Sequence, residues 1–112
     1  MKLNKMNIIQ IASKLGCRHY TEFTVEELDE LPLSNPNKQI EYYFIQKWLR
    51  EIHKIHINVW FKGDMIYDYN SLDWCYEIKS LKENFSIIEN RTNFKSFEQA
   101  LEESLYQALL LI

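Results

Sequence analysis

Residues 39–61, QIEYYFIQKWLREIHKIHINVWF, decide the fold because the spacing of their apolar residues changes at Ile55. Before Ile55 these residues recur every three to four positions, which predicts a helix over residues 40–52. The predicted core-facing side of this helix comprises Ile40, Phe44, Ile45, Trp48, Leu49 and Ile52. We expect Trp48 to be the central anchor between this helix and a sheet, because a buried indole contributes a large contact area.

From Ile55 onward apolar and polar residues alternate, which predicts a half-buried strand directly after the helix. Its core side comprises Ile55, Ile57, Val59 and Phe61, and its other side comprises His56, Asn58, Trp60 and Lys62. The same alternation predicts a second strand, with Trp74, Tyr76 and Ile78 on one side and Cys75, Glu77 and Lys79 on the other. The chain is therefore organised around a helix followed by a sheet.

Capping residues place the remaining helices. Residues 7–15 predict a short helix that Gly16 ends, and the capping box that begins at Thr24 opens a second short helix. Asn35 or Asn37 is the expected N-cap of the long helix.

The rest of the sheet and the last helix follow Lys79. We expect a hairpin turn at residues 82–84, a weaker third strand over residues 85–89 and a loop over residues 90–95. Another capping box, formed by Ser96 and Gln99, opens the last helix. Its predicted inward side is Phe97, Ala100, Leu101, Ser104, Leu105, Ala108, Leu111 and Ile112, and its outward side is Glu98, Gln99, Glu102, Glu103, Tyr106 and Gln107.

These elements predict an α+β fold with the order α-β-β-β-α and both long helices on one face of an antiparallel sheet. The 112 residues form a single domain, with a short-helix extension over residues 1–35 and the core over residues 36–112. With 46% hydrophobic and 26% charged residues the composition is that of a globular protein. Cys17 and Cys75 are expected to be free thiols, and no segment resembles a signal peptide or a membrane span, so we expect a cytoplasmic protein.

The sheet face turned away from the helices carries the first candidate site. Trp60 lies on that face with His56 and Asn58 as near neighbours, and an outward tryptophan is usually covered. Two coverings fit the sequence equally well: the segment 65–72 of the same chain, or a partner. The second favours self-association through this face as a homodimer.

A basic stripe on the long helix is the second candidate site. It comprises Tyr43, Lys47, Arg50 and Lys54 at helical spacing. These residues fit either contact with phosphates or an ordinary solvated helix face. A net charge of −3 and a pI near 5.6 count against a dominant nucleic-acid surface.

Several chemistries lack their motifs. The two glycines, Gly16 and Gly63, are too few for a phosphate-binding loop or a nucleophile elbow. His53 is expected at a helix end and His56 on a strand, so their side chains need not converge. Together with Cys17 and His19 they therefore do not predict a metal site. The loop residues Asp64, Asp68, Asn70 and Asp73 lack the EF-hand spacing. A hydrolase or nuclease that uses Asp64, Asp68 or Asp73 with His53 is the least supported hypothesis, and we expect no catalytic residue and no cofactor.

Residues 46–57, QKWLREIHKIHI, and the ending SFEQALEE (96–103) with ALLLI (108–112) resemble small uncharacterised proteins of gut Bacteroidales and their phages and prophages. That resemblance implies a genomic setting and no activity. The order of helix, three strands and helix is also similar to that of double-stranded-RNA-binding domains, which implies recognition of the minor groove by shape. However, Glu98, Glu102 and Glu103 stand where that family carries lysines.

The sequence therefore predicts a non-enzymatic, cytoplasmic interaction protein that is phage- or prophage-related and binds a protein partner or itself. The alternative is a nucleic-acid-binding module that uses the basic stripe.

Overall fold

Helices and one antiparallel sheet make up the part of the chain that this computed structural model describes, residues 8–18, 22–61, 74–82 and 86–112. The elements are α1 (Ile8–Lys14), α2 (Val25–Glu30), α3 (Pro36–Ile52), β1 (Ile55–Phe61), β2 (Trp74–Ser80), β3 (Ile87–Phe94) and α4 (Phe97–Leu109). The strands are antiparallel in the order β1-β2-β3, and α3 and α4 pack on the sheet. The α+β prediction is confirmed, including the two short N-terminal helices.

Capping side chains begin the helices as predicted. Thr24 Oγ1 accepts a hydrogen bond from the Glu27 backbone N–H at 3.1 Å, and the Glu27 carboxylate accepts one from the Thr24 N–H at 2.8 Å. Ser96 Oγ accepts from the Gln99 N–H at 3.1 Å, but the Gln99 side chain accepts from the N–H of Lys95 rather than of Ser96. The last helix therefore has the expected cap without the complete reciprocal box.

The predicted core side of α3 is wrong in phase. Asn35 is the N-cap, one of the two predicted, and the buried residues of the helix are Lys38, Glu41, Tyr42, Ile45 and Leu49. Ile40 and Ile52 are 45% and 62% exposed, and Phe44 and Trp48 are half-buried. At 100° per residue the buried side is rotated by roughly 60° from the predicted one. The central anchors are Ile45 and Leu49, which are 1% and 0% exposed, and not Trp48.

Polar side chains with fixed partners explain this rotation. The Lys38 ammonium donates a hydrogen bond to the Leu31 carbonyl at 3.0 Å, and the Tyr42 hydroxyl donates one to Glu102 of α4 at 2.8 Å. Their long apolar stems can therefore be buried while their polar ends remain hydrogen-bonded. Hydropathy predicts such residues to lie at the surface. The core side that it predicts for α3 is therefore centred closer to Ile40 than the observed one.

The strand β1 follows the predicted alternation, and β2 keeps its predicted core side, but Cys75, predicted on the other side, is fully buried. Ile55, Ile57 and Ile78 are buried in the core with residues of α3 and α4, and Trp60 lies on the opposite side of the sheet. Ile57 pairs with Ile78 and Trp60 pairs with Cys75. Gln46 of α3 donates a hydrogen bond to the Ile57 carbonyl at 3.2 Å and so covers part of the β1 edge.

The third strand is longer than predicted. It runs over Ile87–Phe94, so the predicted loop at residues 90–95 is wrong, while Glu83–Phe85 lie outside the described residues. Residues 90–94 are polar except for Phe94, and their strand conformation comes from the ladder with β2, in which Tyr76 pairs with Arg91. The register of that ladder shifts twice, and Asn93 has a φ of 76°. Pairing with a neighbour thus overrides a weak local pattern.

The last helix departs from its predicted sides at three places. Glu103, predicted to face outward, is buried, because it accepts a hydrogen bond from Gln107 at 2.9 Å and lies 3.6 Å from the Arg91 guanidinium. Leu111 and Ile112, predicted to face inward, are exposed because the helix ends at Leu109 and its period no longer applies. Phe97 is 41% exposed, with its ring against that of Trp74 at the sheet edge.

Candidate interaction site

The first predicted site lies on the sheet face opposite α3 and α4, hereafter the outer face. Its positions form cross-strand pairs between β1 and β2: His56 with Lys79, Asn58 with Glu77, and Trp60 with Cys75. Directly paired side chains on one face lie about 4.5–5.5 Å apart at Cβ. The structure therefore places Trp60, His56 and Asn58 on one surface, as the sequence predicts.

Trp60 is the largest apolar side chain among the described residues of this surface, and Ile87 of β3, which pairs with Lys79, is also exposed there at 53%. Trp60 is 37% exposed, whereas its cross-strand partner Cys75 is fully buried. Its neighbours are polar: Asn58 is exposed, His56 is half-buried, and Glu77 forms an ion pair of 3.6 Å with Lys79. The outer face thus combines a partly exposed indole with mostly polar neighbours and a further exposed isoleucine, the composition of a small interface with an aromatic centre.

The second predicted site, the basic stripe, lies on the outward side of α3. Tyr43 is 55% exposed, and Lys47 and Arg50 are half-buried. Lys54 lies beyond the helix C-cap in the left-handed region, with a φ of 59°, and it is exposed. The structure therefore gathers three of the four residues on one helix and sets Lys54 apart in the turn to β1.

A groove that the sequence did not indicate lies between the end of α1 and α3; we call it the α1–α3 groove. Its volume is about 260 Å³, and its lining comprises Gly16, Cys17, Arg18, Phe44, Lys47, Trp48, Glu51 and Ile52. Residues of α1 and α3 meet here only through the tertiary fold. The one signal that the sequence offered for this groove was the set of apolar residues Phe44, Trp48 and Ile52 on α3, and hydropathy predicts these to lie in the core.

A network of polar side chains fixes β3 to α4. The Tyr76 hydroxyl donates to Glu89 at 2.8 Å, Arg91 lies 2.9 Å from the same carboxylate, and Arg91 also lies 3.6 Å from Glu103. Burial, and then the hydrogen bond to Glu89, raise the pKa of Tyr76 well above its ordinary value. Because these groups already form hydrogen bonds and ion pairs with one another, the network holds the edge strand β3 against α4.

The two described histidines considered for metal binding do not come together. His53 packs edge-on against Trp48 with ring centroids 4.6 Å apart, whereas His56 lies on the outer face. Among the described residues, no three His, Cys, Asp or Glu side chains are arranged to hold a metal ion. His19 and the loop residues Asp64, Asp68, Asn70 and Asp73 lie outside the described residues, as does the segment 65–72.

Both cysteines are free, as predicted, and the structure buries both of them. Burial and the nearby Glu41 carboxylate raise the pKa of Cys17 to about 11. The thiol is therefore neutral near pH 7, and a neutral thiol is a poor nucleophile and a poor metal ligand.

Comparison with known proteins adds no relative: no family model, no curated protein and no solved structure matches the chain. The resemblances to small Bacteroidales and phage proteins and to double-stranded-RNA-binding domains remain predictions. Within the described part of the chain, each helix is too short or too polar to cross a membrane.

Proposed function

We propose that this chain is a non-enzymatic protein-interaction domain that associates with a second copy of itself through the outer face. The observation that carries the proposal is the position of Trp60, which is 37% exposed on the sheet face opposite α3 and α4. The proposal includes a phage- or prophage-related setting, which rests on the resemblance of residues 46–57, 96–103 and 108–112. It also includes a cytoplasmic location, which is the expectation from the two free cysteines.

The exposed indole sets the scale of the interaction. An aromatic side chain of this size presents up to about 250 Å², so an exposure of 37% corresponds to roughly 90 Å². Burying that area stabilises the complex by about 2 kcal/mol per copy. Association costs about 4–15 kcal/mol in lost freedom of motion, so the two indoles alone would not hold a tight dimer. The other contacts of the outer face have to supply the remainder, and we expect them to hold a weak dimer, with a Kd of about 10 µM to 1 mM.

The geometry favours association through the outer face over pairing of strand edges. The ladder between β2 and β3 shifts register twice, and Asn93 interrupts the extended backbone of β3. Such irregularities hinder the addition of another strand. At the other edge, Gln46 already donates a hydrogen bond to the Ile57 carbonyl.

Light scattering and sedimentation from about 10 µM to 1 mM test the proposal, a range that spans the expected Kd. The wild-type mass should rise with concentration toward twice the monomer mass of 13.6 kDa, and Trp60→Ala should remain monomeric. Ile40→Ala is the matched control, because Ile40 is similarly exposed at 45% but lies on α3. A wild type that is monomeric at every concentration, or a Trp60→Ala variant that dimerises equally, would refute self-association through this face.

Nucleic-acid binding by the basic stripe has weaker support. Lys47 and Arg50 are on one helix, but Glu51 directly follows Arg50, and Glu98 of α4 lines a second pocket together with Tyr43 of the stripe. Carboxylates at these places repel phosphates. Retention of RNA or DNA at low salt, with loss in Lys47→Glu and Arg50→Glu, would favour this alternative instead.

A further inference from the structure

We propose that the α1–α3 groove binds an acidic peptide segment of a partner protein and takes up one large apolar side chain of that segment. This site is separate from the outer face, and Trp60 does not line it. The proposal rests on the turn that builds the groove, the rigidity of its aromatic wall, its size and its charges.

The turn after α1 builds one wall of the groove. The Cys17 N–H donates to the Ala12 carbonyl at 2.9 Å, and the Gly16 N–H donates to the Ser13 carbonyl at 3.1 Å. This pair of hydrogen bonds is a Schellman motif, which requires a left-handed residue that Gly16 supplies with a φ of 109°. The motif buries Cys17 and leaves Arg18 exposed at the groove.

The opposite wall is an aromatic surface held in place by its neighbours. One side of Trp48 packs against the hydrophobic core, and its ring meets His53 edge-on at 4.6 Å. Phe44 lies one helical turn earlier and packs against the ring of Tyr43 at 5.3 Å. A wall that is already ordered loses little side-chain entropy on binding, so even a small contact can contribute to affinity.

The size of the groove suits a side chain better than a cofactor. Its volume of about 260 Å³ lies below the ~300–1,000 Å³ of typical small-molecule sites. At its rim, Ile52 is 62% exposed and widens the apolar surface. A single aromatic or large aliphatic residue, inserted as an anchor with its flanking backbone outside, fits this volume and lining.

The charges at the rim decide the chemistry of the flanking residues. Arg18 and Lys47 stand on different walls, and neither forms an ion pair with any residue that the structure describes. Glu51 also lines the groove, so the local charge is +1, whereas that of the chain is −3. Two cations on an acidic protein can pair with one or two carboxylates, but they are too few to hold a polyanion. Acidic peptide residues are therefore the better match.

An NMR titration of the ¹⁵N-labelled chain tests the proposal with three capped pentapeptides of sequences DEFED, DEAED and KRFRK. We expect DEFED to shift the Trp48 indole N–H and the amides of Arg18 and Lys47 in a saturable manner. DEAED should bind at least ten-fold more weakly because it lacks the anchor, and KRFRK should not bind because its charges are wrong.

Charge reversal localises the effect. The double variant Arg18→Glu, Lys47→Glu should weaken DEFED binding at least ten-fold, while Arg50→Glu, a cation on the same helix outside the groove, should change it less than two-fold. The spectrum of each variant reports whether it folds. Equal binding of KRFRK, shifts that map elsewhere, or unchanged affinity in the double variant would overturn the proposal. So would tighter, steeply salt-dependent binding of a single-stranded oligonucleotide, which would assign the groove to nucleic acid instead.

Discussion

Two isoleucines on α3 provide a direct test of which side of this helix is buried. Ile45 and Ile40 are five residues apart in the interior of the same helix, but Ile45 is 1% exposed and Ile40 is 45% exposed. Each substitution by Ala removes the same three carbon atoms. Any difference in stability between the two variants therefore reports the surroundings of the side chain and not its chemistry.

We expect Ile45→Ala to cost about 2–5 kcal/mol, because a fully buried side chain leaves a cavity among close-packed neighbours. Ile40→Ala should cost less than about 1 kcal/mol, because nearly half of the side chain is already in water and Ala favours the helix by a few tenths. At roughly 3–6 °C per kcal/mol for a chain of this length, Ile45→Ala should lower the Tm by roughly 6–30 °C.

Thermal and urea unfolding, followed by circular dichroism, measure both variants against wild type. Equal m-values would show that each change acts on stability and not on the unfolded state. If Ile40→Ala destabilises as much as Ile45→Ala, the buried side of α3 is the one that hydropathy predicts, and the rotation described above is wrong.

Two further predictions concern alkaline pH and a helix cap. The folded chain holds the Cys17 proton more tightly than the unfolded chain, since folding raises the pKa of this thiol from 9.0 to about 11. The contribution of Cys17 to stability should therefore be constant below pH 9 and fall between pH 9 and 11. Thermal unfolding across this pH range should show a smaller fall in Cys17→Ala than in wild type. An equal fall in Cys17→Ala would assign the loss to other groups, among them Tyr76. Ser96→Ala should lower the free energy of unfolding by about 1 kcal/mol, because the Gln99 N–H loses its acceptor at 3.1 Å. The control is Ser86→Ala, which changes an exposed serine before β3. Equal unfolding free energies for the two variants would contradict this role of the cap.

The parts of the fold that could be predicted are those determined by neighbours in the sequence. A hydroxyl such as that of Thr24 or Ser96 caps the N–H groups that follow it within three residues, so the motif carries its own evidence. The alternation in β1 likewise places Ile57 and Trp60 on opposite sides whatever the rest of the chain does. For this reason the predicted location of Trp60 on the outer face holds in the structure.

The errors concern residues whose environment depends on distant partners. Hydropathy cannot show that Lys38 is buried, because burial depends on the Leu31 carbonyl that accepts its hydrogen bond. Glu103 is buried through Gln107 and Arg91, and Arg91 is in turn held on β3 by pairing with Tyr76. Since these polar groups occupy core positions, apolar residues such as Ile52 remain at the surface.

The exposure of Ile52 connects the wrongly predicted phase of α3 with the α1–α3 groove. An apolar residue of α3 that the core does not use costs free energy in water, and half-exposed Phe44 and Trp48 lie on the same side of the helix. The α1–α3 groove forms at that side, because the turn at Gly16 brings Arg18 to it. The rotation of α3 is thus what leaves an aromatic wall available for binding.

The groove and the outer face can act together because they belong to different layers of the fold. The groove is formed by α1 and α3, whereas Trp60 lies on the sheet face that points away from α3. Two copies that meet through their outer faces would therefore leave both grooves open. A partner with two acidic segments could then bind both grooves, and the second contact would form at the high effective concentration that the first one creates. Weak self-association and a small peptide groove would in that case reinforce each other, although either alone supports only modest affinity.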